Sequence, residues 1–355
     1  MRKSYLLYKL AVVALLAFTF QSCKKDHGVD NNNEVLTPYS LYYSDSAGNL
    51  YHTNSGDVQD SLVFPADGYQ SRALMIVDSN ILWVKRAVHY SNNNGRNFNP
   101  TYGGSLNGGQ FPNPLSYNQS MLVYAKDQNW VYVTTTEGHG VEYSEKSGNP
   151  GTWVNDNNWD GSITDLNLVT ISSITELDNG IMVGYDPLHF RTFAKDNAGG
   201  TWYETSNTDN TKWLPNTGSW SLWHMSNIVI AIDSTNHNGL YFSDNKGNTW
   251  THVDPNLSPG LDTTRCFFVG VLYNQVVLLG TEKGVYRLNG GNFISSNSGV
   301  KDHARIRGFA AKEITYKNGE KKQYIYMTSD RGLYRSEDMG HNWTFVRDGN
   351  LINVW

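Results

Sequence analysis

The chain has 355 residues, two cysteines and a formal charge of −5 from 28 basic and 33 acidic side chains. A mildly acidic balance argues against a nucleic-acid surface, and two cysteines are too few for a disulfide scaffold. A hydrophobic fraction of 39% with 13% aromatic residues suits a protein whose tryptophans and tyrosines fill narrow wedges between small layers.

Taken in chain order, residues 1–22 read as an export signal. Met1-Arg2-Lys3 is a basic start, Ala11 to Phe20 an apolar run, and Ser22-Cys23 follows. The segment resembles a lipoprotein signal peptide, with Phe20 where a small aliphatic residue is usual; the alternative is an ordinary secretory signal with an incidental cysteine. The apolar run is short for a spanning helix. On the lipoprotein reading Cys23 becomes a lipidated N-terminus, and loss of Arg2, Lys3 and Lys9 with no acids takes the charge from −5 to −8. From Lys24 to Leu36 the chain is charged and Asn-rich, so residues 23–36 form a lipidated, flexible tether. Lys24 and Lys25 do not resemble an inner-membrane retention signal, and an outer-membrane or cell-surface location is expected.

Residues 37–355 carry one short phrase seven times. It is clearest at Ser336-Glu337-Asp338-Met339-Gly340-His341-Asn342-Trp343, and returns at Ser243 to Trp250 and at Lys195 to Trp202. Looser copies open at Ser44, Ser91 and Ser144, and a shortened one runs from Leu288 to Phe293. The opening positions are separated by 47, 53, 51, 48, 45 and 48 residues, a near-constant period that signals a repeat architecture. The phrase has the chemistry of a hairpin turn: Ser and Asp or Asn bond the turn's own backbone, Gly supplies positive φ, and the aromatic residue anchors the loop from below.

The phrase resembles the Asp-box, or bacterial neuraminidase (BNR) repeat, S-x-D-x-G-x-T/S-W. Ser336, Asp338, Gly340 and Trp343 carry its key positions, and Ser243, Asn245, Gly247 and Trp250 match with Asn in place of Asp. The resemblance implies an all-β propeller in which the boxes join the third and fourth strands of each blade and are structural.

The segments between the boxes read as the remaining strands. Ile81-Leu82-Trp83-Val84, Trp130-Val131-Tyr132-Val133, Ile228-Val229-Ile230-Ala231 and Tyr324-Ile325-Tyr326-Met327 are second strands buried on both faces, and Gly332 to Arg335 is a third strand. Each repeat is then a four-stranded antiparallel blade. The chain begins mid-repeat, with a third strand at Tyr39 to Tyr43, a box at Ser44 and a fourth strand at Leu50 to Thr53. Leu351 to Trp355 supplies a first strand that closes the ring. Seven blades are expected, the split one a strand short, with six as the alternative.

Three groups of residues are candidates for chemistry, and by analogy with other propellers they are sought on the second-to-third loops and blade connections. Arg72, Arg265 and Arg307 begin their innermost strands alike, and three guanidinium groups at one channel suit a carboxylate or sulfate; the alternative is that each binds carbonyls or neighbouring acids. Asp186, Asp233, Glu282 and Asp330 recur after the second strands, with Glu137 nearby, and paired carboxylates can serve glycoside cleavage or simply form turns. Trp159 and Trp213 sit in polar loops, where indoles either stack on sugars and protein partners or pack the loop. Trp223 reads as core, His224 and His303 as ordinary satisfied histidines, and Cys266 as a small buried apolar residue. No metal-ligand spacing appears and no cofactor is expected.

The scaffold signal is strong and the catalytic signal weak. The resemblance to sialidases lacks their Arg-Ile-Pro segment, and Asp-box glucanases use two propellers where this chain has one. The favoured reading is a monomeric, lipid-anchored, non-catalytic module binding a glycan or an envelope protein. The alternatives are a sialidase-like or glucanase-like glycoside hydrolase and an assembly factor for a membrane complex.

Overall fold

The computed structural model describes residues 35–54, 61–85, 88–101, 121–134, 140–161, 169–205, 214–215, 220–233, 238–254, 258, 260–273 and 276–355. The lipidation candidate Cys23, Glu137 and Trp213 lie outside them. Among the described residues there is no α-helix. The chain runs through β1 (Val35–Thr37), β2 (Ser40–Asp45), β3 (Leu50–Asn54) and β4 (Ser61–Phe64). It continues through β5 (Ala73–Val77), β6 (Asn80–Val84), β7 (Val88–Ser91) and β8 (Asn99–Pro100), then β9 (Leu122–Ala125), β10 (Trp130–Thr134), β11 (Val141–Ser144) and β12 (Trp153–Asn155). The next two sets are β13 (Met182's partner strand, Ser173–Glu176), β14 (Met182–Asp186), β15 (Arg191–Lys195) and β16 (Tyr203–Glu204), and β17 (Trp220–Met225), β18 (Ile228–Asp233), β19 (Gly239–Ser243) and β20 (Thr251–His252). The last are β21 (Cys266–Leu272), β22 (Val276–Thr281), β23 (Gly284–Asn289) and β24 (Asn292–Ser295), then β25 (Ile306–Tyr316), β26 (Lys321–Ser329), β27 (Gly332–Ser336), β28 (Thr344–Arg347) and β29 (Leu351–Val354).

The pairing makes a seven-bladed propeller of four-stranded antiparallel sheets. Blade 1 has the order β29-β2-β3-β4, blades 2 to 6 are consecutive sets from β5 to β24, and blade 7 is β25-β26-β27-β28. The unit Pro38–Ile314 with Lys321–Trp355 holds this core. In the small second unit, Met1–Thr37 with Thr315–Glu320, Val35 and Thr37 pair antiparallel with Tyr316 and Thr315.

Blade 1 corrects the expected closure. The C-terminal β29 is its innermost strand, so β2 is the second strand, β3 the third, and β4 completes the sheet. The split blade is therefore not short of a strand, and the turn opened by Ser44 joins strands two and three instead of three and four. Its bonding differs accordingly. Asp45 Oδ1 accepts from the N–H of Ala47 and Asn49 at 3.0 and 2.9 Å, while Ser44 Oγ is buried with no hydrogen-bond partner among the described residues.

The other copies join third and fourth strands. In the loop from Ser336, Ser336 Oγ accepts from Gly340 N–H at 2.8 Å, and Asp338 Oδ1 accepts from Asn342 N–H at 2.9 Å. The loop from Ser243 repeats this with Gly247 N–H to Ser243 Oγ and Thr249 N–H to Asn245 Oδ1, both 2.9 Å. Gly340 has φ +84° and an added Cβ would meet Leu278 of blade 6 at 3.1 Å, so the turn needs glycine for conformation and for its close approach to the neighbouring blade. In blade 4 the phrase opens with Lys195 instead of Ser, and its ammonium reaches blade 3, donating to Asp156 at 2.6 Å beside the Trp202 ring.

Hydrophobic clusters lie between blades. One joins Leu82 and Val84 of blade 2 to Val131 and Val133 of blade 3, and another joins Leu278 and Val285 of blade 6 to Ile325 and Tyr334 of blade 7. A single blade cannot cover both its faces, so stacking is what stabilises it, at roughly 1.5–3 kcal/mol for each large side chain buried. Blades 7 and 1 are latched by polar contacts as well: Thr328 Oγ1 donates to Ile352 O at 3.1 Å, and Arg347 donates to Tyr43 Oη at 2.6 Å.

Candidate functional site

Antiparallel alternation puts the first-to-second and third-to-fourth turns at one edge of every blade, and the second-to-third turns and blade connections at the other. The innermost strands line the central channel, which therefore has a starting end and a finishing end. A recess of about 590 Å³ occupies the finishing end. Its walls are apolar or aromatic: Met75 and Leu122, Ile174, Leu177 and Leu222, and the rings of Tyr124, Trp223 and Trp355. Its polar groups are Lys126 and Asp127 after β9, Thr175, Glu176 and Asp178 around the end of β13, and His224 of β17.

Strand alternation explains this convergence. Along β13, Glu176 turns toward blade 3, where its Oε2 accepts from Lys126 N–H at 3.2 Å. Thr175 turns toward blade 5, where its Oγ1 lies 3.1 Å from His224 Nδ1, and Asp178 Oδ1 lies 3.7 Å from His224 Nε2. Ser173 Oγ accepts from Leu222 N–H at 2.8 Å, fixing β17 against β13. Trp223 rests against Phe268 of blade 6 with ring centroids 4.3 Å apart, and its Nε1 is buried with no acceptor among the described residues.

The electrostatics are lopsided. Burial pushes the Glu176 carboxyl above the ordinary carboxylate range, and Asp127 and Asp178 add to the rise, against the opposing Lys126 N–H bond and ammonium. Burial pushes the His224 imidazole below its ordinary value, Lys126 acts in the same direction, and Asp178 opposes. At neutral pH the imidazole is thus uncharged, and three carboxyl groups face one ammonium.

The arginines, the acids after the second strands and Trp159 do not line this recess, whereas Trp223, read from the sequence as core, and His224, read as an ordinary satisfied histidine, do. Arg72 directly precedes β5, Arg265 directly precedes β21, and Arg307 is the second residue of β25, so all three sit where innermost strands begin. Arg265 donates to Glu282 at 2.8 Å and Arg307 to Asn350 Oδ1 at 2.6 Å. Burial lowers the Arg72 guanidinium from its usual value.

The acids after the second strands are engaged locally. Asp186 accepts from Leu188 N–H at 2.9 Å and contacts His189 Nδ1 at 2.7 Å. Asp233 accepts from Asn238 at 2.5 Å, and Asp330 accepts from Arg305 N–H at 2.9 Å. Trp159 is 9% exposed, stacks on Trp202 and donates Nε1–H to Asp156 O at 3.0 Å. His303 lies in a turn with φ +56°. Cys266 is buried, which pushes its thiol up.

Glu176 was not distinguished by the sequence, and His224 was read there as an ordinary satisfied histidine. Glu176 ends the mixed stretch Ile171-Ser172-Ser173-Ile174-Thr175-Glu176, and 48 positions separate it from His224. The available signal was that a carboxylate stood at an inward position of an innermost strand.

No protein-family model matches the chain, and no curated protein does either. In structure it is similar to the computationally designed Ika8 protein, with a TM-score of 0.51 and 12% identity over 90% of this chain and 87% of that one. It is similar also to YCF48 bound to a D1 peptide, with a TM-score of 0.51 and 12% identity over 91% of this chain and 98% of that one. YCF48 from Cyanidioschyzon merolae gives a TM-score of 0.49 and 14% identity over 79% and 87%. At these identities the likeness is one of fold.

Proposed function

We propose that this protein is a non-catalytic binding module that holds a segment of a partner protein in the recess at the finishing end of its channel. The observation that carries the reading is the recess itself. It has the size and the mixture of apolar wall and few polar groups that ligand sites have, and its lining comes from five blades whose strands fix the side chains in place. YCF48, a protein of similar fold, is solved with a peptide bound, which supports a peptide as the kind of ligand. The reading includes a lipid on Cys23, an outer-membrane or surface location, a monomeric state, and membership of its third-to-fourth loops in the Asp-box class.

The test is an array of overlapping peptides from the envelope proteins of the source cell, probed beside a glycan array. Binding to discrete peptides, lost with Trp223→Ala in a protein that still melts cooperatively, is the expected result. Binding to glycans alone sinks the peptide reading. Metabolic labelling with a fatty acid, lost in Cys23→Ala, checks the anchor.

A second reading, glycoside hydrolysis, draws on one observation. Glu176 is a carboxyl group raised by burial beside further carboxylates, the environment of a general acid. Turnover of a soluble β-glucan or a sialoside, abolished by Glu176→Gln, would favour it.

A further inference from the structure

We infer that the segment held in the recess presents a cationic side chain, arginine or lysine, flanked by hydrophobic residues. This inference rests on the recess being the binding place. Glu176, Asp127 and Asp178 bring three carboxyl groups to it, and Lys126 is the only ammonium among the lining residues. A carboxylate can accept about four hydrogen bonds, and among the described residues Glu176 accepts one, from Lys126 N–H. Its remaining lone pairs are therefore available to a donor entering the recess.

The walls point the same way. Tyr124, Trp223 and Trp355 bring aromatic rings to the lining, and the negative quadrupole of such a ring attracts a guanidinium or ammonium group. The aliphatic lining suits the methylene stem behind such a head. An anionic segment would have to approach three carboxyl groups, and a purely apolar one would leave Glu176 desolvated without compensation. The volume of about 590 Å³ exceeds what a lone inorganic cation needs and suits several side chains of a short segment.

The test uses the full-length protein in detergent and four acetylated, amidated peptides of the form Leu-Phe-X-Phe-Leu, with X arginine, lysine, norleucine or glutamate, titrated by calorimetry. The arginine and lysine peptides are expected to bind at least about tenfold more tightly than the other two. Glu176→Gln should remove most of that preference, weakening the arginine and lysine peptides while the norleucine peptide binds somewhat more tightly because no carboxylate is left desolvated beside it, a split that a merely misfolded variant does not produce. Norleucine or glutamate binding as tightly as arginine overturns the inference while the binding-module reading stands. No binding by any of the four, to protein that melts as a single cooperative unit, rejects the recess as a peptide site and the inference with it.

Discussion

The two ends of the channel hold charge in opposite ways. At the starting end Lys85, with its side chain fully buried, is paired with Asp67 and donates to Gly48 O at 3.1 Å, and Arg265 is paired with Glu282 at 2.8 Å. At the finishing end Glu176 accepts a backbone bond, and the carboxyl groups around it outnumber the cations. Paired charge at one end closes connections between blades. Unbalanced charge at the other has a cost in stability that a ligand could offset, and such locally unfavourable arrangements are expected where a protein binds.

Removing an acid should then have opposite effects at the two ends, and the largest effect belongs to the paired end. Asp67→Ala strands the buried Lys85 ammonium and should lower unfolding stability by about 2–4 kcal/mol, measured by urea titration. An unchanged midpoint would mean that Lys85 finds other partners and the contrast between the ends is lost.

The repeated phrase gives a second contrast, because Ser336 opens a third-to-fourth turn and Ser44 a second-to-third turn. Ser336→Ala leaves the Gly340 N–H without its acceptor and should cost about 1–2 kcal/mol. Ser44→Ala removes a hydroxyl that forms no bond among the described residues and should be neutral or slightly stabilising. Equal costs would show that the two loops are alike after all.

At the finishing end, Glu176→Gln should raise stability at neutral pH, by less than Ser336→Ala lowers it. The sign follows from the raised carboxyl. The folded chain holds the Glu176 proton to higher pH than the unfolded chain, so this group's contribution to stability is present at low pH and is lost as pH rises through the folded value. The advantage of the variant should accordingly vanish in acid and grow toward neutrality, with Lys126, Asp127, Asp178 and His224 as the facing charges. Thermal melts at a series of pH values check this, and a pH-independent difference would rule it out.

The smallest effect should come from Arg265→Ala. Its side chain is 44% exposed and its partner Glu282 32%, so the pair is worth at most about 0.5 kcal/mol. A larger loss in the same urea titration would mark Arg265 as part of the framework and not of an open surface.

Much of the fold was legible in the residues and much less of the site. The second strands at Ile81, Trp130, Ile228 and Tyr324 stood out because a strand covered on both faces must be continuously apolar. The boxes stood out because a glycine with positive φ and a serine bonding its own loop leave little choice of residue. The Ser44 phrase misled because its residues suit a hairpin turn wherever one is needed. Which strands it joins depends on β29 arriving from the far end of the chain as the innermost strand.

By itself, the sequence determined a ring of repeated four-stranded blades closed by its own ends, with seven favoured over six, since the repeat length and the buried strands are local and recur. Only the tertiary structure decided which end of the channel is hollow. It also decided that Glu176, His224, Lys126 and Trp223 meet there while Arg72, Arg265 and Arg307 stand at the other end. Those four lie on three different blades, and no local spacing connects them. What brings them together is the radial stacking of innermost strands, in which position along the strand sets height in the channel and blade number sets the wall.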